Sequence, residues 1–182
     1  KIQQSVQSII KKNKQFLVKT KTDEFIADYV VYCTGSSPKS LKILEDLHFK
    51  IIPLVPSLFT FNIKDGVLQD LMGTSFINAE VSIPSLKMDE SAPMIITHWG
   101  ISGPVILKIS AWKAVELAKL KYNFEIVVNF LGIDISAAEE LFKNFKEGNP
   151  KKSIGTTKIF DITNRFWHRI LWLSKIDLDK NI

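Results

Sequence analysis

The chain reads as an α+β protein: the edge strands of a β-meander, then a mostly antiparallel small β-barrel-like domain with a buried helix, then a helical subdomain. Three observations predict this. Apolar and polar residues alternate at period two through Phe59–Ile63, Ser75–Ile83 and Phe124–Phe130, as half-buried strands require. From Ser136 the period changes to about 3.6. Between these regions, Met94–Leu120 passes from a β-prone run through a glycine turn into a long apolar helix. With 182 residues, 46% of them hydrophobic, one sizeable core or two small ones can form. The expected parts are 1–50, 51–132 and 133–182.

In order, Val6–Ile10 and Phe16–Thr20 are β-prone runs around the polar turn Lys11-Lys12-Asn13-Lys14. Phe25–Cys33 follows, and its unbroken centre Tyr29-Val30-Val31-Tyr32 predicts a strand covered on both faces. Thr34-Gly35-Ser36-Ser37-Pro38 turns into a helix with Ser37 as N-cap and Pro38 at its first position. Leu41, Leu44 and Leu47 mark one face of that helix. Pro53 and Pro56 give an extended entry to the strand at Phe59, Phe61 and Ile63. Asp65-Gly66 is a turn, Gly73 closes Val67–Met72, and Ser75–Ile83 points Ile77, Ala79, Val81 and Ile83 inward. Pro84–Pro93 is polar and predicts a loop.

Met94, Ile95 and Ile96 then form a strand, and Gly100 and Gly103 allow a tight reversal. Pro104 suits the first turn of a helix, and the apolar residues from Val105 to Leu120 predict one helix buried on more than one side. Its N-terminus is expected inside the protein, where unpaired N–H groups favour an anion or a carbonyl-rich ligand. Two readings of His98 and Ser102 stay open. They flank and bind such a ligand, or His98 ends a strand with its ring satisfied and Ser102 is an N-cap.

Ser136 and Glu139 predict a capping box, Leu141, Phe142 and Phe145 an apolar face, and Gly148 with Pro150 the helix end. Lys151–Lys158 is a polar linker, and Phe160–Leu173 carries a packing stripe at helical spacing. The tail Asp177–Ile182 closes no obvious unit.

Composition excludes several classes. No run approaches 18 apolar residues and the start lacks a signal peptide's apolar centre, so a soluble, cytoplasmic protein without membrane partners is expected. The single Cys33 permits neither an internal disulfide framework nor a Cys-x-x-Cys pair. His48, His98 and His168 are far apart in sequence, so no metal site is expected. No nucleophile elbow or catalytic carboxylate pair stands out. The net charge is +5, and six lysines (1, 11, 12, 14, 19 and 21) precede Asp23, a concentration read as a solvated hairpin. The chain lacks an initiator methionine and begins in a strand, so a fragment is expected.

The run Thr97-His98-Trp99-Gly100-Ile101-Ser102-Gly103-Pro104 resembles the TH-x-G-[IVL]-SGP signature of a bacterial FAD-dependent flavoprotein family of the BaiN and aminoacetone-oxidase type. Its members have a glutathione-reductase-like FAD domain interrupted by a β-barrel followed by a helical part. Two further segments are similar. Val30–Ser36 matches the family's strand ending in Ala-Thr-Gly-Gly at Thr34 and Gly35, with Cys33 and Ser36 in place of the alanine and the second glycine. Pro53, Pro56, Ser57 and Leu58 resemble its P-x-P-S-L segment, displaced by one residue. The preceding Gly-His pair is replaced by His48-Phe49, and His48 is read as a helix-end residue.

The resemblance implies a fragment of a flavin-dependent oxidoreductase, a substrate- and flavin-capping insert with part of the FAD domain. It implies FAD as cofactor of the whole protein, with NAD(P)H or a small-molecule substrate. Thr34, Gly35, Ser36, Gly100, Ile101, Ser102 and Gly103 would contact the cofactor, and His98 would be the hydrogen-bonding or proton-relay group. Its partner would be the remainder of its own FAD-binding domain. The family's G-x-G-x-x-G is absent from this sequence, so the chain alone is expected to bind FAD weakly or not at all. Two alternatives remain: a nucleic-acid-binding barrel, motivated by a pI near 9.2 but disfavoured because the lysines are dispersed, and a non-catalytic interaction domain.

Overall fold

The computed structural model describes residues 3–182, so Lys1, first of the basic cluster, lies outside the described residues. Two compact units are present, Lys1–Leu54 and Val55–Ile182.

In the first unit, β1 (Val6–Lys12), β2 (Gln15–Thr20) and β3 (Glu24–Ala27) form an antiparallel sheet in the order β1-β2-β3. Lys12 pairs with Gln15, so the hairpin loop is Asn13-Lys14, and Asn13 takes the positive φ of 54° that such a loop needs. The expected strand through Phe25–Cys33 is corrected: pairing stops at Ala27, and Tyr29 and Val31 are 89% and 86% exposed. Among the described residues no strand lies alongside 28–33, and an apolar run without neighbours cannot hold a sheet conformation. The helix α1 (Pro38–Asp46) begins as expected, with Pro38 in its first turn and the Ser37 hydroxyl accepting from the Ser40 N–H at 3.3 Å. His48 follows the helix end with φ 65°.

The second unit is a five-stranded antiparallel half-barrel in the order β4-β7-β6-β5-β8. Its strands are β4 (Phe61–Asn62), β5 (Ser75–Ile83), β6 (Met88–Ile96), β7 (Gly100–Ser102) and β8 (Val127–Asn129). β5 has the expected bounds, and Ala79, Val81 and Ile83 face inward as expected, but Ile77 does not. A bulge between Phe76 and Ala79 buries Phe76 and leaves Ile77 76% exposed, because an extra residue exchanges the faces of the strand. Pro93 of β6 lies opposite that irregularity, where the ladder does not require its missing N–H.

The expected loop at Pro84–Pro93 is also corrected. A single 3₁₀ turn, Pro84–Leu86, and the left-handed Lys87 reverse the chain directly into β6. The polar run Asp89-Glu90-Ser91 can be strand because the half-buried Glu90 is met by Lys108 at 2.9 Å.

Helix α2 (Pro104–Trp112) packs against β6 and buries Val105, Ile106, Ile109 and Ser110. The expected single helix to Leu120 breaks at Lys113 (φ −110°, ψ 20°), and α3 (Ala114–Lys119) follows. Burial is one-sided: Trp112 and Val115 face outward. Ser110 ties the helix to the β4 approach, since its Oγ accepts from the Phe59 N–H at 3.1 Å and donates to the Leu107 carbonyl at 3.0 Å.

Helices α4 (Ile135–Gly148) and α5 (Asn164–Leu173) complete this unit. The N-cap of α4 is Asp134, whose carboxylate accepts from the Ala137 N–H at 2.7 Å, so the expected capping box at Ser136 and Glu139 does not form. Phe166 of α5 packs with Phe76 and Phe130 at 4.8 Å each, joining the helix to the barrel core. Phe142, Phe160 and Trp167 form a second aromatic cluster between α4 and α5. The expected linker holds a 3₁₀ turn, Ile154–Thr156, that receives hydrogen bonds from Trp167 Nε1 and His168 Nε2. The tail is not idle either: Ser153 bridges to Asn181, and Gly155 N–H donates to the Leu178 carbonyl at 2.9 Å.

Candidate functional site

β6 and β7 are joined through Thr97, His98 and Trp99, with the Thr97 N–H donating to the Gly100 carbonyl at 2.8 Å. The signature run is therefore a tight β-hairpin that feeds α2 directly. His98 and Trp99 are exposed at its tip, Trp99 at 74%, and among the described residues neither side chain has a hydrogen-bond or ring partner. Of the two open readings, His98 with a satisfied ring is not what the structure shows.

The glycines have a structural task. A Cβ on Gly100 (φ 155°) would meet the Phe61 carbonyl oxygen at 2.1 Å, and one on Gly103 (φ 102°) the Pro93 carbonyl oxygen at 2.9 Å. They let β7 and the start of α2 lie against β4 and β6, and their open faces are filled by the chain's own backbone. Ile101 points into the core. Ser102 is not the N-cap: its Oγ accepts a hydrogen bond from Thr60 Oγ1 at 3.2 Å. Gly103 occupies the cap position of α2 without a side-chain bond, and Pro104 is exposed. The expected buried helix N-terminus holds in part: Val105 and Ile106 are fully buried, while the first residue, Pro104, is at the surface. In that first turn Pro104 has no N–H, and the Leu107 N–H donates to the Gly103 carbonyl at 3.0 Å.

Thr34, Gly35 and Ser36 belong to the other unit and form an exposed loop before α1. Gly35 has φ 70°, and a Cβ there would touch nothing within 4 Å, so its glycine serves the turn itself. Its carbonyl accepts from Ser40 Oγ at 3.4 Å.

Sequence reasoning missed one concavity. β4 and β8 are the two outer strands of the half-barrel, and a groove of about 930 Å³ runs between residues 59–65 and 121–127. Alternation located both walls as strands, but nothing in the sequence says that they fail to pair. A smaller hollow beside α5 is a structural contact: Arg165 donates to the Met72 carbonyl and Arg169 to that of Gln69, each at 2.8 Å.

Among the described residues no cluster of three or more His, Cys, Asp or Glu could hold a metal ion, and no helix is long and apolar enough to cross a membrane.

Comparison with known proteins places the second unit. The HI0933-like protein barrel and H2TH domain matches residues 55–182, the bounds of that unit. The chain is also similar to the ribosomal RNA dihydrouridine synthase of Escherichia coli (strain K12), with 26% identity over 149 residues, covering 78% of this chain and 34% of that protein. It thus spans about a third of the length of the curated relative it matches. On the extent of the domain match, the chain belongs to the HI0933-like barrel and H2TH domain family.

Proposed function

We propose that the whole protein is a flavin-dependent oxidoreductase of the BaiN type, using FAD and a reduced nicotinamide, and that its substrate is uridine in ribosomal RNA. The observation that carries the reading is the Thr97–Pro104 hairpin, which presents His98, without a partner among the described residues, beside a helix start without a side-chain cap. The name of the relative supports the choice of substrate, and with it a nucleic-acid partner that the dispersed lysines alone disfavour.

The residues fit one edge of a flavin. The first turn of α2 brings the positive end of the helix to the surface at Pro104, suited by its dipole to a carbonyl-rich or anionic ring edge. Gly103 holds that turn. When bound, the flavin supplies the hydride that, with one proton, saturates the C5=C6 bond of uracil, the two electrons coming from the reduced nicotinamide. His98 hydrogen-bonds the reacting ring or relays that proton, a role open to a side chain that titrates near neutrality. The barrel covers the ring and limits its contact with water. We place the protein in the cytoplasm.

The experiment uses the full-length protein with FAD, reduced nicotinamide and ribosomal RNA transcribed without modification. Nucleoside mass spectrometry of the RNA is expected to show dihydrouridine that depends on all three. Dihydrouridine absent under every condition, with flavin bound and reducible, would retain the flavoprotein and reject the RNA substrate.

A further inference from the structure

We propose that the groove between residues 59–65 and 121–127 is a nucleobase site, taking an uncharged pyrimidine ring of the RNA strand. This rests on the reading of the protein as an enzyme that acts on RNA, and it assigns the recognition of that substrate to the open seam of the half-barrel.

The seam follows from the sheet order, in which β4 and β8 are the two outer strands. Phe61 and Phe124 meet across it with centroids 5.0 Å apart, and Phe59 meets Tyr122 edge-on at 5.7 Å. The backbones behind these rings do not pair, so the barrel is closed by side chains at its floor and open above them. Phe61 is buried, while Tyr122 remains 44% exposed and can offer its ring to a base. The groove's volume lies inside the roughly 300–1,000 Å³ usual for ligand sites.

The polar groups suit a base edge. Asn62 pairs with Gly100 on β7, and the next residue, Ile63, donates its N–H to the Trp99 carbonyl at 2.9 Å. Hydrogen-bonded and non-bonded pairs alternate in an antiparallel ladder. The N–H and C=O of Asn62 therefore point away from β7, on the groove side of the sheet. A donor and an acceptor side by side match the imide edge of uracil, which carries an acceptor next to a donor. The charges at the rim cancel, Lys64 and Lys121 against Asp65 and Glu125, which selects a neutral ring over a bare phosphate. The same strand binds the hairpin that carries His98, so a base in the groove lies on the strand next to that hairpin.

A peptide strand added to the β4 edge is the competing occupant. It is disfavoured because β4 has a ladder of only two residues and Pro56 and Pro84 line the groove.

The test is NMR on the full-length protein with uridine 5′-monophosphate, and ribose 5-phosphate as control. In the wild-type protein, the nucleotide is expected to shift the Asn62 amide and the Tyr122 ring, and the control is expected to shift neither. Tyr122→Ala should weaken nucleotide binding about five-fold or more, the usual range for loss of a base-stacking ring. Equal shifts from the control, unshifted Asn62 and Tyr122 signals, or these signals moved only by an extended peptide would each overturn the proposal. Ribosomal RNA reduced by Tyr122→Ala with unchanged KM would reject the groove and leave the enzymatic reading intact. Nucleotide bound at Asn62 and Tyr122 with no reduction of RNA would reject that reading and keep the base site.

Discussion

A methyl group on Gly100 would lie 2.1 Å from the carbonyl oxygen of Phe61, so the signature hairpin and the edge strand β4 touch backbone to backbone. The glycine is a packing requirement before it is anything else. Gly100→Ala must push β4 away, and the expected loss is about 1–3 kcal/mol or more, as for other overpacked interiors. Chemical denaturation of the wild type and the variant checks this. An unchanged midpoint would mean that β4 and β7 are not seated against one another.

His98 makes the opposite prediction. Its side chain is exposed and has no partner among the described residues, so His98→Ala should leave stability within about 0.5 kcal/mol. In the proposed function the same change should slow nicotinamide-driven turnover on the order of 10²-fold. Thermal unfolding and steady-state kinetics on one preparation separate the two effects. Turnover equal to wild type would remove His98 from the chemistry.

The half-barrel was readable where alternation is strong. Phe61 and Ile83 are buried as their spacing requires, because a period of two has only two faces to choose from. What escaped were features that depend on partners far along the chain. Nothing local marks the bulge that exposes Ile77, and the salt bridge that lets Glu90 sit in a strand comes from Lys108 on α2. Tyr29 and Val31 carry the composition of a buried strand without neighbours to bury them. At the candidate site, the order His98, turn, helix was legible. The use of Ser102 was not, because its partner Thr60 lies 42 residues away.

Capping at α4 gives a paired prediction. Asp134→Ala removes the acceptor for the Ala137 N–H and should cost about 1 kcal/mol. Ser136→Ala, inside the helix, should change stability by less than about 0.5 kcal/mol. Comparable losses from both would place the cap at Ser136 after all.

Glu24 carries a pH prediction in the meander. Lys19 donates to its carboxylate at 2.6 Å and, by that hydrogen bond first and by its charge second, holds it below the usual value of 4.5. A carboxyl lowered in the folded state stabilises the fold above its unfolded value, and that contribution disappears as pH falls through the lowered one. The effect is small for so exposed a pair. In Lys19→Met the Glu24 titration, followed by carboxyl NMR, should move up toward 4.5. An unmoved titration would show that Lys19 does not hold it.

The central claim is that this chain is part of a flavin enzyme, and the absorption spectrum of the full-length protein tests it most directly. The account predicts a stoichiometric flavin band that bleaches when reduced nicotinamide is added without oxygen. A colourless protein that takes up no added FAD, though folded, would contradict it.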